Sequence, residues 1–174
     1  MTGPPVPTPD GPCPGCGSTA VLADGPRPAL LSASSGCWAQ YCEVLSRSYG
    51  DPEYRRVHQV VVDAYGAQHP AGRGRREAQA VALHLMTLCL IVEDGADPAH
   101  GPALHKQMMA RRPPFTSLSP PSLAGLTTAA DVLKAGSADE HRRMAYEWGS
   151  EVWQAWRPHH ATVRAWNAHA LGSP

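Results

Sequence analysis

Lysine is almost missing from this chain: among 174 residues only Lys106 and Lys134 carry it, and arginine supplies the rest of the 15 basic groups. Because 15 acidic groups balance them, the formal net charge is zero. Without a basic excess there is nothing to track a phosphate backbone, so no nucleic-acid partner is expected. A membrane-length apolar run is missing too. The longest stretch, residues 78–92, is interrupted by Gln79, His84 and Thr87, so no membrane span is expected. The start of the chain has no basic, apolar leader, and five cysteines are an odd number. Both features point to a reduced, cytoplasmic protein rather than a disulfide scaffold.

Familiar catalytic patterns are also absent. There is no G-x-S-x-G elbow, no phosphate-cradling glycine loop and no H-E-x-x-H. Glu147 and Glu151 are four apart, but a diiron bundle would need Glu-x-x-His pairs, and Glu140 directly precedes His141. Internal repeats are not evident.

What is present is a set of capped, helix-periodic segments. Residues 1–12 are rich in proline and glycine and read as a disordered lead-in. Residues 13–171 are the length of one domain with one core, read here as a single zinc-binding helical domain. A first helix is expected over residues 37–49, with Trp38, Tyr41, Val44, Leu45 and Ser48 at helical spacing. Gly50 ends it. Asp51, Pro52 and Glu53 then start a second helix running to about residue 69. The third, residues 75–94, is apolar nearly all round and belongs at the centre of a bundle. Asp97-Pro98 starts a fourth, which Pro113-Pro114 stops. Thr128 with Asp131, and Ser137 with Glu140, are capping-box patterns for two more. Pro158 should kink the last long helix beside His159 and His160. The expected architecture is all-α, a single bundle of about five to seven helices with a metal-binding C-x-x-C turn at its N-terminal end.

That turn is Cys13-Pro14-Gly15-Cys16-Gly17. Two cysteines at this spacing aim two thiolates at one tetrahedral metal. A pair of free surface thiols and a thioredoxin-like redox motif are the rivals. The redox motif wants a strand before it and a helix after it, whereas Pro12 precedes and a loop over residues 18–33 follows. Such a pair is half a site. Folding the first two helices as an antiparallel hairpin returns His69 to the side of Cys37. Cys37 and His69 would then complete Cys13 and Cys16 as a Cys3His zinc site. Cys42 and Cys89 have apolar neighbours and read as packed thiols.

Histidines supply a second theme. His58 and His69 are eleven residues apart, which on one helix brings them within roughly 20° of the same face. Tyr65 lies on that face as well. His84 sits inside the apolar third helix, where its desolvation must be repaid by a hydrogen bond or a ligand. Matching levels across the turn at residues 71–76 sets it opposite His58, with Tyr65 nearby and His160 reached from the kinked last helix. The four are the candidate catalytic set, for acid–base work or a second metal. The alternative is a hydrogen-bonded pair that only fixes helix register. His100 and His105 are expected at the surface. The arginine loop at residues 71–76 reads as solvated, and residues 113–126 as a surface connection, with a basic patch for an anionic partner and a lid as their alternatives.

The order CPGCG, GCW, DPEYRRVHQVVVDAYGAQHP, QAVALHL and EVWQAWRPHHATVRAW resembles an uncharacterised bacterial family of unknown function, commonest in actinobacteria. The resemblance implies an all-helical domain and brings no reaction. Two functions stay open. One is a zinc-stabilised helical domain, monomer or homodimer, that binds a small molecule or a protein partner. The other is a small metal-dependent enzyme, hydrolytic or a biosynthetic tailoring one, with a histidine-lined pocket in the bundle.

Overall fold

Local side-chain chemistry sets most helix ends. The structure, a computed structural model, describes residues 11–19 and 25–172; most of the expected lead-in, residues 1–10, lies outside the described residues. Ser34 Oγ accepts the Cys37 N–H at 3.2 Å and opens α1 (Ser35–Gly50). Asp51 accepts from the Glu53 N–H at 2.8 Å, with Pro52 first in α2 (Pro52–Arg55). α3 (His58–Gln68) and α4 (Arg75–Asp94) follow. Gly95 stops α4 with a left-handed φ of 67°, which lets the Ala96 N–H close on the Leu90 carbonyl at 3.0 Å. A short 3-10 turn (Pro98–His100) leads into α5 (Gly101–Arg111). Thr128 and Asp131 cap α6 (Ala129–Leu133) reciprocally, and Ser137 accepts from the Glu140 N–H at 3.2 Å to open α7 (Ala138–Ala155). Pro158, lacking an N–H, sits in a second 3-10 turn (Arg157–His159) before α8 (His160–Leu171).

Among the described residues the fold is all-α: eight helices, with only an isolated antiparallel bridge, Leu31 to Pro70, and no strand. No described helix is long and apolar enough to cross a membrane. Two expected helices are each divided. The break at Pro158 follows from the missing N–H. The break between α2 and α3 has neither proline nor glycine; Val57 simply leaves the helical path at φ −113°, ψ 13°. Burial accounts for it. Val57 is 1% exposed, whereas α2 holds no buried residue, so the bend drops Val57 into the core and leaves α2 at the surface.

As expected, α4 sits at the centre, packed against α3, α5, α7 and α8, and α3 shares that place with it. Helix α3 packs against α4, α7 and α1, and Val60, Val61, Ala64, Tyr65 and Ala67 are fully buried. On α4, Leu83, Leu90 and Val92 are only partly buried. Gly149 lets α7 approach α3 closely, since a Cβ there would lie 2.9 Å from Val60 Cγ1. Trp148 and Trp153 of α7 and Trp156 at its C-cap are fully buried, and each indole N–H has an acceptor: Gln68 Oε1 at 2.9 Å, Glu93 Oε1 at 3.0 Å and the Ala67 carbonyl at 3.1 Å. Two of those three acceptors lie at the C-terminal end of α3, so α7 pins that end.

Candidate metal centre

The pinned end of α3 carries His69. Past the last turn of a helix the carbonyls have lost their N–H partners. Here the Ala67 carbonyl is taken by Trp156, and the Tyr65 carbonyl lies 2.8 Å from His69 Nδ1. A carbonyl can only accept, so Nδ1 carries the proton and Nε2 presents its lone pair away from the helix. The residues around Ser32 are held alongside, the Ser32 N–H donating to the His69 carbonyl at 2.9 Å.

The C-x-x-C turn closes on this histidine. The Gly17 N–H donates to the Cys13 carbonyl and the Cys13 N–H to the Ser18 carbonyl, both at 2.8 Å. Gly17 needs its left-handed φ of 73° to make that reversal. Gly15 lies flat against His69: a Cβ there would overlap the imidazole ring and sit 2.8 Å from the Gln68 carbonyl oxygen. The N-terminal turn of α1 brings the third sulfur. Cys13, Cys16, Cys37 and His69 are all buried, and one ligand atom from each lies within 4.8 Å of the others.

The edges of this group fit a tetrahedron. Around zinc, a Zn–S distance of ~2.3 Å gives a sulfur–sulfur edge of ~3.8 Å and a sulfur–nitrogen edge of ~3.6 Å. Cys16 Sγ to Cys37 Sγ is 3.7 Å, and Cys37 Sγ to His69 Nε2 is 3.3 Å. The Ser34 N–H donates to Cys13 Sγ at 3.4 Å, and the Tyr65 hydroxyl lies 3.6 Å from Cys37 Sγ. The group could hold a metal ion through four protein atoms, closed to solvent.

Its electrostatics match a site built for negative sulfur. Hydrogen bonds from Cys16, then Cys37, hold Cys13 far below the usual thiol range. The same contacts, with Cys13 first, push Cys37 far above it. Contact between the two thus sets Cys13 toward the thiolate and Cys37 toward the thiol. For His69, burial works to lower the pKa, but the Cys13 and Cys16 sulfurs and the Tyr65 carbonyl outweigh it and raise it to about 9. A proton thus occupies the place a cation would take, and metal binding here would displace protons. Burial first, and next the neighbouring Cys37 sulfur, keeps Tyr65 a phenol.

The other histidines are distributed differently from expectation. His84 Nδ1 lies 2.8 Å from Asp63 Oδ1, and its ring covers Gly66, where a Cβ would overlap it. His58 is eight residues from Gly66, ~12 Å along the axis at ~1.5 Å per residue. Its ring faces Tyr49 at 5.2 Å, beside the end of α1, and burial lowers its pKa. Tyr65 faces Cys37, and stacks on Tyr41 at 3.8 Å. His160 stacks on Trp153 at 3.7 Å, and its Nε2–H donates to the Trp153 carbonyl at 2.8 Å, supporting the end of α7. These contacts put His58, His84, Tyr65 and His160 in four different places instead of around one pocket. The level-matching fails because His84 lies over Gly66, nearer the turn than His58.

Other expectations are corrected too. Cys42 is exposed, because the buried face of α1 carries Cys37, Tyr41, Val44 and Ser48; Cys89 is buried as expected. His105 is half-buried, 3.5 Å from Asp63 Oδ1, rather than at the surface. Residues 113–126 are tied down: His159 Nε2–H donates to the Ser119 carbonyl at 2.8 Å, and Phe115 meets Trp166 edge-on at 5.4 Å. Arg75 and Arg76 join Arg112 in lining a surface depression between α4 and α5. Sequence reasoning gave Asp63 no role, although a carboxylate inside VVVDAY was its signal: an acid on a buried stripe demands a partner.

No curated protein and no solved structure matches this chain. A family model does, over residues 11–157, which takes in all four Cys/His residues of the centre together with Asp63, His84 and His105, and stops short of His160. The chain therefore belongs to a family of unknown function (DUF5946).

Proposed function

We propose that this chain is a zinc-binding, all-helical protein in which Cys13, Cys16, Cys37 and His69 hold the metal for structural purposes, and that the domain so stabilised binds a small ligand or a partner. The observation that carries this reading is the convergence of four buried ligand atoms, from three separate segments, within 4.8 Å. Three thiolates and one imidazole leave no position for substrate, which is the pattern of a closed site. Zinc suits the set because it takes sulfur and nitrogen tetrahedrally without redox chemistry. The metal would join the C-x-x-C turn, the start of α1 and the end of α3. A reducing, cytoplasmic setting fits, since Cys16 and Cys37, with sulfurs 3.7 Å apart, would be exposed to disulfide formation elsewhere.

Elemental analysis of purified protein should find one zinc per chain attributable to this set, with Cys16→Ser losing it. Full zinc occupancy in Cys16→Ser would remove the assignment. A second reading, a small metal-dependent enzyme, is favoured by one observation: His84, which keeps some contact with solvent, is hydrogen-bonded to a fully buried carboxylate, Asp63, away from the thiolate centre.

A further inference from the structure

Asp63 lies in the middle of α3 with no exposed surface, yet it carries a carboxylate. Burying that charge is costly unless a cation or several donors meet it. One oxygen, Oδ2, accepts from Gln59 Nε2 at 2.9 Å. The other, Oδ1, faces two imidazoles, His84 Nδ1 at 2.8 Å and His105 Nε2 at 3.5 Å. His105 Nε2 is itself buried and, among the described residues, makes no hydrogen bond. It is too far from the carboxylate to bond well, and it is aimed at the same oxygen.

We propose that Asp63, His84 and His105 form a second metal site, which takes a divalent first-row transition ion through one carboxylate and two imidazoles. Three ligand atoms, one from each residue, lie within 4.8 Å of one another. Around zinc, nitrogen and oxygen ligands at ~2.0–2.1 Å stand ~3.3 Å apart. The distances of 2.8 and 3.5 Å bracket that edge. The two rings are inclined at 68°, their centroids 6.0 Å apart, so both can turn a nitrogen to one point without stacking. An ion there would give the orphaned His105 nitrogen a partner and neutralise the buried charge at once. Imidazole with carboxylate selects ions such as zinc, iron(II) or cobalt(II); calcium and magnesium would want more oxygen than this cluster holds.

The surroundings look built for the cluster. Gln59 holds the carboxylate by its second oxygen, as supporting residues hold metal ligands. Two close approaches need glycine: a Cβ at Gly101 would overlap Gln59, and one at Gly66 would overlap the His84 ring. The first allows the start of α5 to reach α3, and the second allows α4 to do so. Unlike the thiolate set, this cluster reaches solvent, with the His84 and His105 side chains 19% and 24% exposed. Three protein ligands and a solvent path leave room for water or an outside ligand on the ion, the arrangement of reactive rather than structural sites. The inference does not depend on the thiolate reading.

Cobalt(II) titration of the full-length, reduced apo-protein separates the two sites in one experiment. Thiolate ligation gives an intense sulfur-to-cobalt charge-transfer absorption; an imidazole–carboxylate site gives only weak ligand-field bands. The expected result is two equivalents bound, one of each kind. His105→Gln and Asp63→Asn should each weaken the thiolate-silent equivalent by about tenfold or more and leave the charge-transfer equivalent intact. A titration of the unmodified protein that ends without a thiolate-silent equivalent overturns the proposal and leaves a hydrogen-bonded cluster only. So does a silent equivalent that survives both substitutions undiminished. A silent, substitution-sensitive equivalent without any charge-transfer band would support this site while refuting the thiolate one.

Discussion

His141 offers a test of the fold that is independent of either metal. Its ring is completely buried on α7, 4.8 Å from the Tyr54 ring, and neither ring nitrogen has a hydrogen-bond partner among the described residues. Burial, and then the Arg47 guanidinium, lowers its pKa from 6.5 to about 4. In the unfolded chain the same ring would protonate near 6.5, so acid favours the unfolded state. The penalty is absent above the unfolded value and grows as pH falls, to its full size below about 4. At 1.36 kcal/mol per pH unit, the full effect is about 3 kcal/mol, and at pH 5 it is already about 2 kcal/mol. For a chain of 174 residues, an entropy of unfolding of ~2.1 cal/mol/K per residue makes that ~5 °C in Tm at pH 5. Leucine at this position loses no hydrogen bond and has similar volume. His141→Leu should therefore match or exceed the wild-type Tm at pH 7.5, and exceed it by a further ~5 °C at pH 5. Other acid-sensitive groups, the thiolate cluster included, are common to both proteins and cancel in the comparison. Parallel Tm-against-pH curves for the two proteins would refute the reasoning, as would an NMR titration placing His141 near 6.5.

Three further outcomes follow from the geometry. Gly15→Ala puts a methyl group into the His69 ring and 2.8 Å from the Gln68 carbonyl; it should weaken zinc binding about 10–100-fold in a competition assay against a chromophoric chelator, as loss of ligand support does. Gln68→Leu strips acceptor or donor from Trp148 Nε1 and the Thr127 carbonyl, at 2.9 and 3.1 Å, and should cost about 2–5 kcal/mol in urea unfolding. Because binding and folding are coupled at closed zinc sites, a strong chelator should lower Tm, and adding zinc back should restore it; an unchanged melting curve with zinc removed would mean the metal is not structural.

Much of this arrangement was readable from short-range chemistry. The caps at Asp51-Pro52, Thr128 with Asp131 and Ser137 with Glu140 work within one turn, so their sequence patterns carry over directly to structure. The grouping of Cys37 with His69 needed only a short antiparallel connection between helices. What escaped depends on distant surfaces. The bend at Val57 has no local breaker and exists because the core has room for that side chain. His105 reaches Asp63 only because Gly101 lets α5 press on Gln59, a fact about three elements at once. Likewise His160 leaves the expected pocket because Trp153, seven residues before it, offers both a ring to stack on and a carbonyl to accept its N–H.

The same reasoning explains why one helix serves two clusters without merging them. Asp63 and His69 are six residues apart, and at 100° per residue they point ~120° away from each other. One faces α4 and α5, where the neighbours are imidazoles; the other faces the C-x-x-C turn and α1, where they are sulfurs. Tyr65 and Gln68, lying between and beside them, are held by Tyr41, Cys37, Trp148 and Thr127 rather than by either cluster's histidines alone. Shifting α3 along its axis by one residue, ~1.5 Å, would carry His69 off the sulfurs and Asp63 off the imidazoles together. The thiolate centre at the buried end of the helix and the partly exposed cluster in its middle therefore share one helix register.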